Sequence, residues 1–118
     1  MGQGAPNDPQ VTANQSDGQQ NANVSAGAGT TIINPGSTVG GKPGRLCRVI
    51  VLTAGTTGNL TFYDSTTGAT GNILGVVPGT TAAAGATIGT TYTFNMPYIN
   101  GLAAVGAANS PGVAVSWF

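Results

Sequence analysis

The chain has 118 residues, about one domain's worth, yet charged residues make up only 5% of it, where roughly 25% is usual. Its ionisable side chains other than tyrosines are Lys42, Arg45, Arg48, Asp8, Asp17, Asp64 and Cys47, with no Glu and no His, and its formal net charge is zero. That balance argues against duplex nucleic acid as a partner, because phosphate binding draws on several unopposed Lys and Arg side chains.

In chain order, residues 1–41 come first and contain no aromatic residue. Their only apolar side chains larger than Ala are Met1, Val11, Val24, Ile32, Ile33 and Val39, and they hold all of the glutamines. So little apolar bulk cannot offset the entropy of ordering the backbone, so the segment is expected to be an extended N-terminal arm. Thr30, Thr31, Ile32 and Ile33 form its one candidate strand, available to add to a neighbour's exposed sheet edge. Residues 42–118 are expected to form the folded body and to supply the core without the arm.

Within the body, Leu46 to Thr53 is the strongest strand, and its nearly continuous apolar run predicts cover on both faces. Asn59 to Asp64 follows with Leu60 and Phe62 on one face, then Asn72 to Val77, stopped by Pro78. Ala86 to Ile88 is a weaker strand candidate. Thr91 to Met96 alternates, placing Tyr92, Phe94 and Met96 on one side. Tyr98-Ile99 and Leu102 to Val105 flank Asn100-Gly101, a pair that predicts a hairpin turn. Gly112 to Phe118 closes the chain with Val113, Val115 and Trp117 as its expected inward set.

Gly, Pro and Asn separate these runs, and no segment shows a 3.6-residue apolar period. The predicted fold class is all-β, a small antiparallel β-sandwich or jelly-roll-like body with an extended N-terminal arm. Few charges protect the sheet edges, so the edges are expected to meet other subunits. No apolar run approaches the 18 or so residues of a membrane helix, and no basic region followed by an apolar run opens the chain. Neither a membrane nor a secretory route is therefore expected.

Catalytic chemistry finds few groups to work with. A Ser-His-Asp or Cys-His site needs a histidine, and paired-carboxylate hydrolysis needs a second acid beside Asp64, the only one in residues 42–118. No phosphate-cradling GxxxxGK[ST] loop is present. The chain is expected not to be an enzyme and to need no cofactor or metal. Cys47 reads as a small buried hydrophobe within a strand. Asp64, followed by Ser65-Thr66-Thr67-Gly68, reads as a turn former that bonds nearby backbone amides, with a weak calcium ligand as the other reading. Lys42, Arg45 and Arg48 cluster at the junction of arm and body, while the rest of the chain carries only negative side chains. They are either a solvated strand entry or a contact for an acidic partner surface.

From Gly44-Arg45-Leu46-Cys47-Arg48 through Leu60-Thr61-Phe62-Tyr63-Asp64, Ile73-Leu74-Gly75, Thr93-Phe94-Asn95-Met96-Pro97 and Asn100-Gly101-Leu102 to Val113-Ala114-Val115-Ser116-Trp117-Phe118, the body resembles the small capsid decoration, cement or head-fibre type proteins of tailed bacteriophages. The resemblance covers residues 42–118 and lies in style and strand order. It implies a structural virion protein on the outer capsid surface, a homotrimer that binds the major capsid protein and stabilises the head by bridging its subunits. The other reading is a virion fibre or tail-associated protein that binds a host-surface receptor, with Tyr63, Tyr92, Tyr98 and Trp117 as stacking groups.

Overall fold

A computed structural model describes residues 20–34, 43–81 and 86–118. Eight strands run through them: β1 (Gln20–Val24), β2 (Gly29–Asn34), β3 (Gly44–Thr53), β4 (Leu60–Tyr63), β5 (Ile73–Val77), β6 (Thr91–Tyr98), β7 (Leu102–Gly106) and β8 (Gly112–Trp117). They form two four-stranded antiparallel sheets, ordered β1-β8-β3-β6 and β2-β7-β4-β5. The first strand pairs with the last, the second with the seventh, the third with the sixth and the fourth with the fifth. That nested pairing, folded over into two sheets, is jelly-roll connectivity.

Period-two patterning explains which side of each strand faces in. Leu46, Val49 and Val51 of β3, Leu60 and Phe62 of β4, Leu102 and Ala104 of β7, and Val113 and Val115 of β8 are all buried in one core between the sheets. Trp117 packs against the same core, so the inward set expected of the last strand is the one observed. Where the β5 and β6 edges approach, Phe94 lies on Gly75 so closely that a Cβ there would fall 2.5 Å from its ring. Tyr92 stacks on Phe94 with ring centroids 5.7 Å apart and closes that side of the sandwich.

Several expectations are corrected. The β3 strand is covered on one face only: Ile50 is 41% exposed and Leu52 50%, because an antiparallel sheet in a two-layer sandwich has one wet side. Residues 86–88 form no strand; Ala86 is buried and bonds Pro78, and Ile88 lies in a turn. Asn100-Gly101 is not a hairpin turn, since β6 and β7 lie in opposite sheets and the turn carries the chain from one to the other.

The division at residue 41 also differs from what the fold does. Strands β1 and β2 precede it, yet β1 forms an edge of one sheet against β8 and β2 an edge of the other against β7. An edge strand needs few inward apolar groups once its backbone joins a ladder. Val24 is 5% exposed, and Ile33 packs against the core beside it. Thr30 to Ile33 lie in β2, paired within the chain. Residues 1–19 and 35–41 of the expected arm lie outside the described residues.

Two polar ties hold one end of the sandwich. The Asp64 carboxylate is 6% exposed and accepts backbone N–H bonds from Ile99 at 3.1 Å, Asn100 at 2.7 Å and Gly101 at 3.4 Å. The Tyr98 hydroxyl accepts from the Asn34 amide at 2.9 Å and donates to the Phe118 carbonyl at 2.8 Å, joining β2, β6 and the end of β8. Burial raises the Tyr98 phenol above its ordinary value of 10.0, and the Asn34 bond opposes that rise.

Candidate docking faces

With the core filled, the chemistry offered to a partner is that of the two outer sheet faces. On the β1-β8-β3-β6 sheet, strand register sets Asn21, Ser116, Arg48 and Thr93 in one row, and Asn23, Ala114, Ile50 and Thr91 in the next. The small side chains of Ala114 and Ser116 leave a shallow trough along β8, walled by Asn21 on one side and by Arg48 and Ile50 on the other.

A bulge decides where the cations go. Between Leu46 and Arg48, β3 advances two residues while β8 advances one, from Trp117 to Ser116. The inserted residue is Cys47, which is buried. Residues three apart in a regular strand face opposite ways, but the bulge flips the phase, so Arg45 and Arg48 share the outer face while Leu46 and Val49 point inward. On the other flank β6 accommodates the irregularity at Asn95, whose φ of 52° lies in the left-handed region that Asn tolerates. Arg45 braces it, donating from Nη1 to the Asn95 carbonyl at 2.8 Å and lying 3.4 Å from its Oδ1. The Arg48 backbone N–H donates to Ser116 Oγ at 3.1 Å. Lys42, the third member of the expected cationic group, lies outside the described residues.

The β2-β7-β4-β5 sheet presents a different surface. Its outer rows are Thr30, Val105, Thr61, Val76 and Ile32, Ala103, Tyr63, Ile73. None of these is charged. Ile73 is 57% exposed, Val76 39% and Ile32 38%, while Ala103 is fully buried between its row neighbours Ile32 and Tyr63. The exposed apolar groups thus stand on the two edge strands, with threonines and half-buried side chains between them, and exposed apolar groups gathered on one sheet face are a surface that can meet a partner.

Asp64 has a role other than the one its sequence context points to. Its partners lie 35 to 37 residues away in the chain, so it fixes the β6–β7 crossing, not its own loop. The hub of the local loop is Ser65, whose Oγ accepts from the Thr67 and Gly68 N–H groups at 3.0 and 3.1 Å and lies 2.8 Å from Thr70 Oγ1. Among the described residues no group of three or more His, Cys, Asp or Glu side chains comes together.

Of the aromatic groups considered for receptor stacking, Tyr98 is 1% exposed and bonded at the sandwich end, and Tyr92 and Trp117 pack on the core. Only Tyr63 stands in an outer row, half-buried. No protein-family model, no curated protein and no solved structure matches the chain. The apolar face was not among the sites foreseen in the sequence. Its signal was present in Ile32, Tyr63, Ile73, Val76 and Val105, but only the pairing order sets these residues side by side.

Proposed function

We propose that the chain works by adhesion, as a structural protein whose outer faces are its tools. More specifically, it decorates the outer surface of a bacteriophage head and stabilises the shell by bridging major capsid protein subunits. The observation that carries this reading is the difference in charge between the two outer faces of one sandwich: one bears Arg45 and Arg48 among Asn, Ser and Thr side chains and the exposed Ile50 and Leu52, while the described rows of the other carry no charge and expose Ile32, Ile73 and Val76. A body with two such faces can touch two neighbours at once. Many modest contacts of that kind on a closed lattice act together through high effective concentration.

The cationic face supplies the contact for an acidic capsid surface and the apolar face the contact with a further protein subunit. Jelly rolls serve in viral capsid domains, and equally in lectins and cupins, so the specific reading rests on the faces and on the resemblance of residues 42–118 to head decoration proteins. Binding of the purified chain to heads lacking it, followed by co-sedimentation, tests the reading. Saturable uptake that Arg45→Ala and Arg48→Ala together weaken is the expected result. Absence of uptake by intact heads refutes it.

A further inference from the structure

Asn100-Gly101, at the crossing from β6 to β7, is the only Asn-Gly pair in the chain. Asn100 is exposed and Gly101 is buried. In such a pair the side-chain carbonyl carbon of asparagine lies within reach of the next backbone nitrogen, and glycine, having no Cβ, puts nothing in the way. We infer that Asn100 is a latent deamidation site, held closed by the Asp64 and Ser65 contacts around Gly101 and released when the β6–β7 crossing opens.

The reaction consumes only water and releases ammonia. The Gly101 backbone nitrogen gives up its proton and bonds to the Asn100 side-chain carbonyl carbon. The bond from that carbon to the amide nitrogen breaks, and ammonia leaves with the proton made up, so that a cyclic imide remains. Water then adds to one of the two imide carbonyls. Opening at the side-chain carbonyl gives aspartate with the backbone unchanged. Opening at the backbone carbonyl gives isoaspartate, in which the chain runs on through the side-chain carbons.

The fold opposes the first step from several sides. Asp64 Oδ1 accepts from the Asn100 N–H at 2.7 Å and lies 3.4 Å from the Gly101 nitrogen. A carboxylate that close raises the cost of placing negative charge on the nitrogen. The Gly101 carbonyl accepts from the Ser65 N–H at 3.2 Å. Around its Cα, the Asn34 and Ser65 carbonyl oxygens come so near that an added Cβ would lie 2.7 and 2.8 Å from them. Gly101 therefore cannot turn its nitrogen onto the Asn100 side chain without shedding these contacts, which is a local opening of the crossing. The change is also one-way. Either product adds a carboxylate at residue 100, close to Asp64, and like charges there oppose reclosure. This inference is independent of the adhesive role.

Timed incubation of the full chain at mildly alkaline pH, folded and in concentrated urea, tests it. Peptide mass spectrometry reads the exchange of the amide NH2 for OH at Asn100, and fragmentation separates isoaspartate from aspartate. The unfolded chain is expected to convert at Asn100 at least about tenfold faster than the folded one, because the folded chain reacts only through its open fraction. Folded Asp64→Ala should convert about tenfold or more faster than folded wild type, since the loss of a buried acceptor makes the crossing easier to open. Val77→Ala serves as the control: Val77 is fully buried and pairs with Leu60, at the far end of the β4–β5 ladder from Tyr63 and Asp64, so a cavity there should leave Asn100 as slow as in wild type. Folded wild type that converts as fast as the unfolded chain, no conversion even in urea, Asp64→Ala as slow as wild type, or Val77→Ala as fast as Asp64→Ala each overturn the inference. Should Asp64→Ala not fold, Asp64→Asn decides the matter: it keeps one acceptor oxygen, and a rate above wild type supports the clamp while an unchanged rate overturns it.

Discussion

Replacing Asp64 with Ala removes the carboxylate that accepts from the backbone amides of the β6–β7 crossing. The Ile99 and Asn100 N–H groups lose an acceptor at 3.1 and 2.7 Å, while the Gly101 contact, at 3.4 Å, is too long to count for much. An unsatisfied buried donor costs about 1–3 kcal/mol, and these amides are only partly buried, so Asp64→Ala should lose about 2–4 kcal/mol. Against a total stability on the order of 5–15 kcal/mol for a small domain, that is a large share. With a urea slope of about 1.5 kcal/mol per molar, the unfolding midpoint should fall by about 1–3 M. Trp117 is the only tryptophan and packs against the core, so its fluorescence follows the transition. Asp64→Asn keeps one acceptor oxygen and should lose roughly half as much. In native-state hydrogen exchange of the Asp64→Ala protein, the Ile99 and Asn100 amides should be the most accelerated. A midpoint unchanged by Asp64→Ala would refute the role assigned to this carboxylate.

Two further outcomes are expected. Because burial raises the Tyr98 phenol above 10.0, its contribution to stability is fully present below the unfolded-state value and is lost as pH climbs through the higher folded-state value. Denaturation midpoints measured across the alkaline range should therefore decline, and Tyr98→Phe should flatten the decline while costing about 1–2 kcal/mol for its two lost hydrogen bonds. Deleting residues 1–34 removes β1 and β2, and with them Val24 and Ile33 from the core. Losing the buried Val24, at about 1.5–3 kcal/mol, and the partly buried Ile33, together with two ladders, should abolish cooperative unfolding by circular dichroism, and a sharp transition would refute that expectation.

The body's strands could be read in the sequence because sandwich strands carry their own period: Leu60 with Phe62, and Val113 with Val115 and Trp117, name their inner faces without help from distant residues. The edge strands could not be read so well. Gln20 to Val24 has one large apolar side chain, and its order comes from a ladder with β8, 89 to 97 positions downstream. The same distance hid the partners of Asp64 and the fate of Asn100-Gly101, whose dipeptide chemistry favours a hairpin but whose flanking strands are drawn into different sheets by their nested partners β3 and β2. The apparent two-sided burial of β3 failed because Ile50 and Leu52 look like core residues in composition, and only the two-layer architecture leaves them wet. The shared face of Arg45 and Arg48 depends on the bulge at Cys47, which no local residue pattern announces.

Cryo-electron microscopy of the heads that the chain is proposed to decorate tests the adhesive role most directly. The proposal predicts density for the sandwich at many equivalent positions over the outer head surface, in hundreds of copies, with the Arg45 and Arg48 face turned toward the capsid. A handful of copies confined to a tail or fibre tip, or no density on the shell, would contradict it.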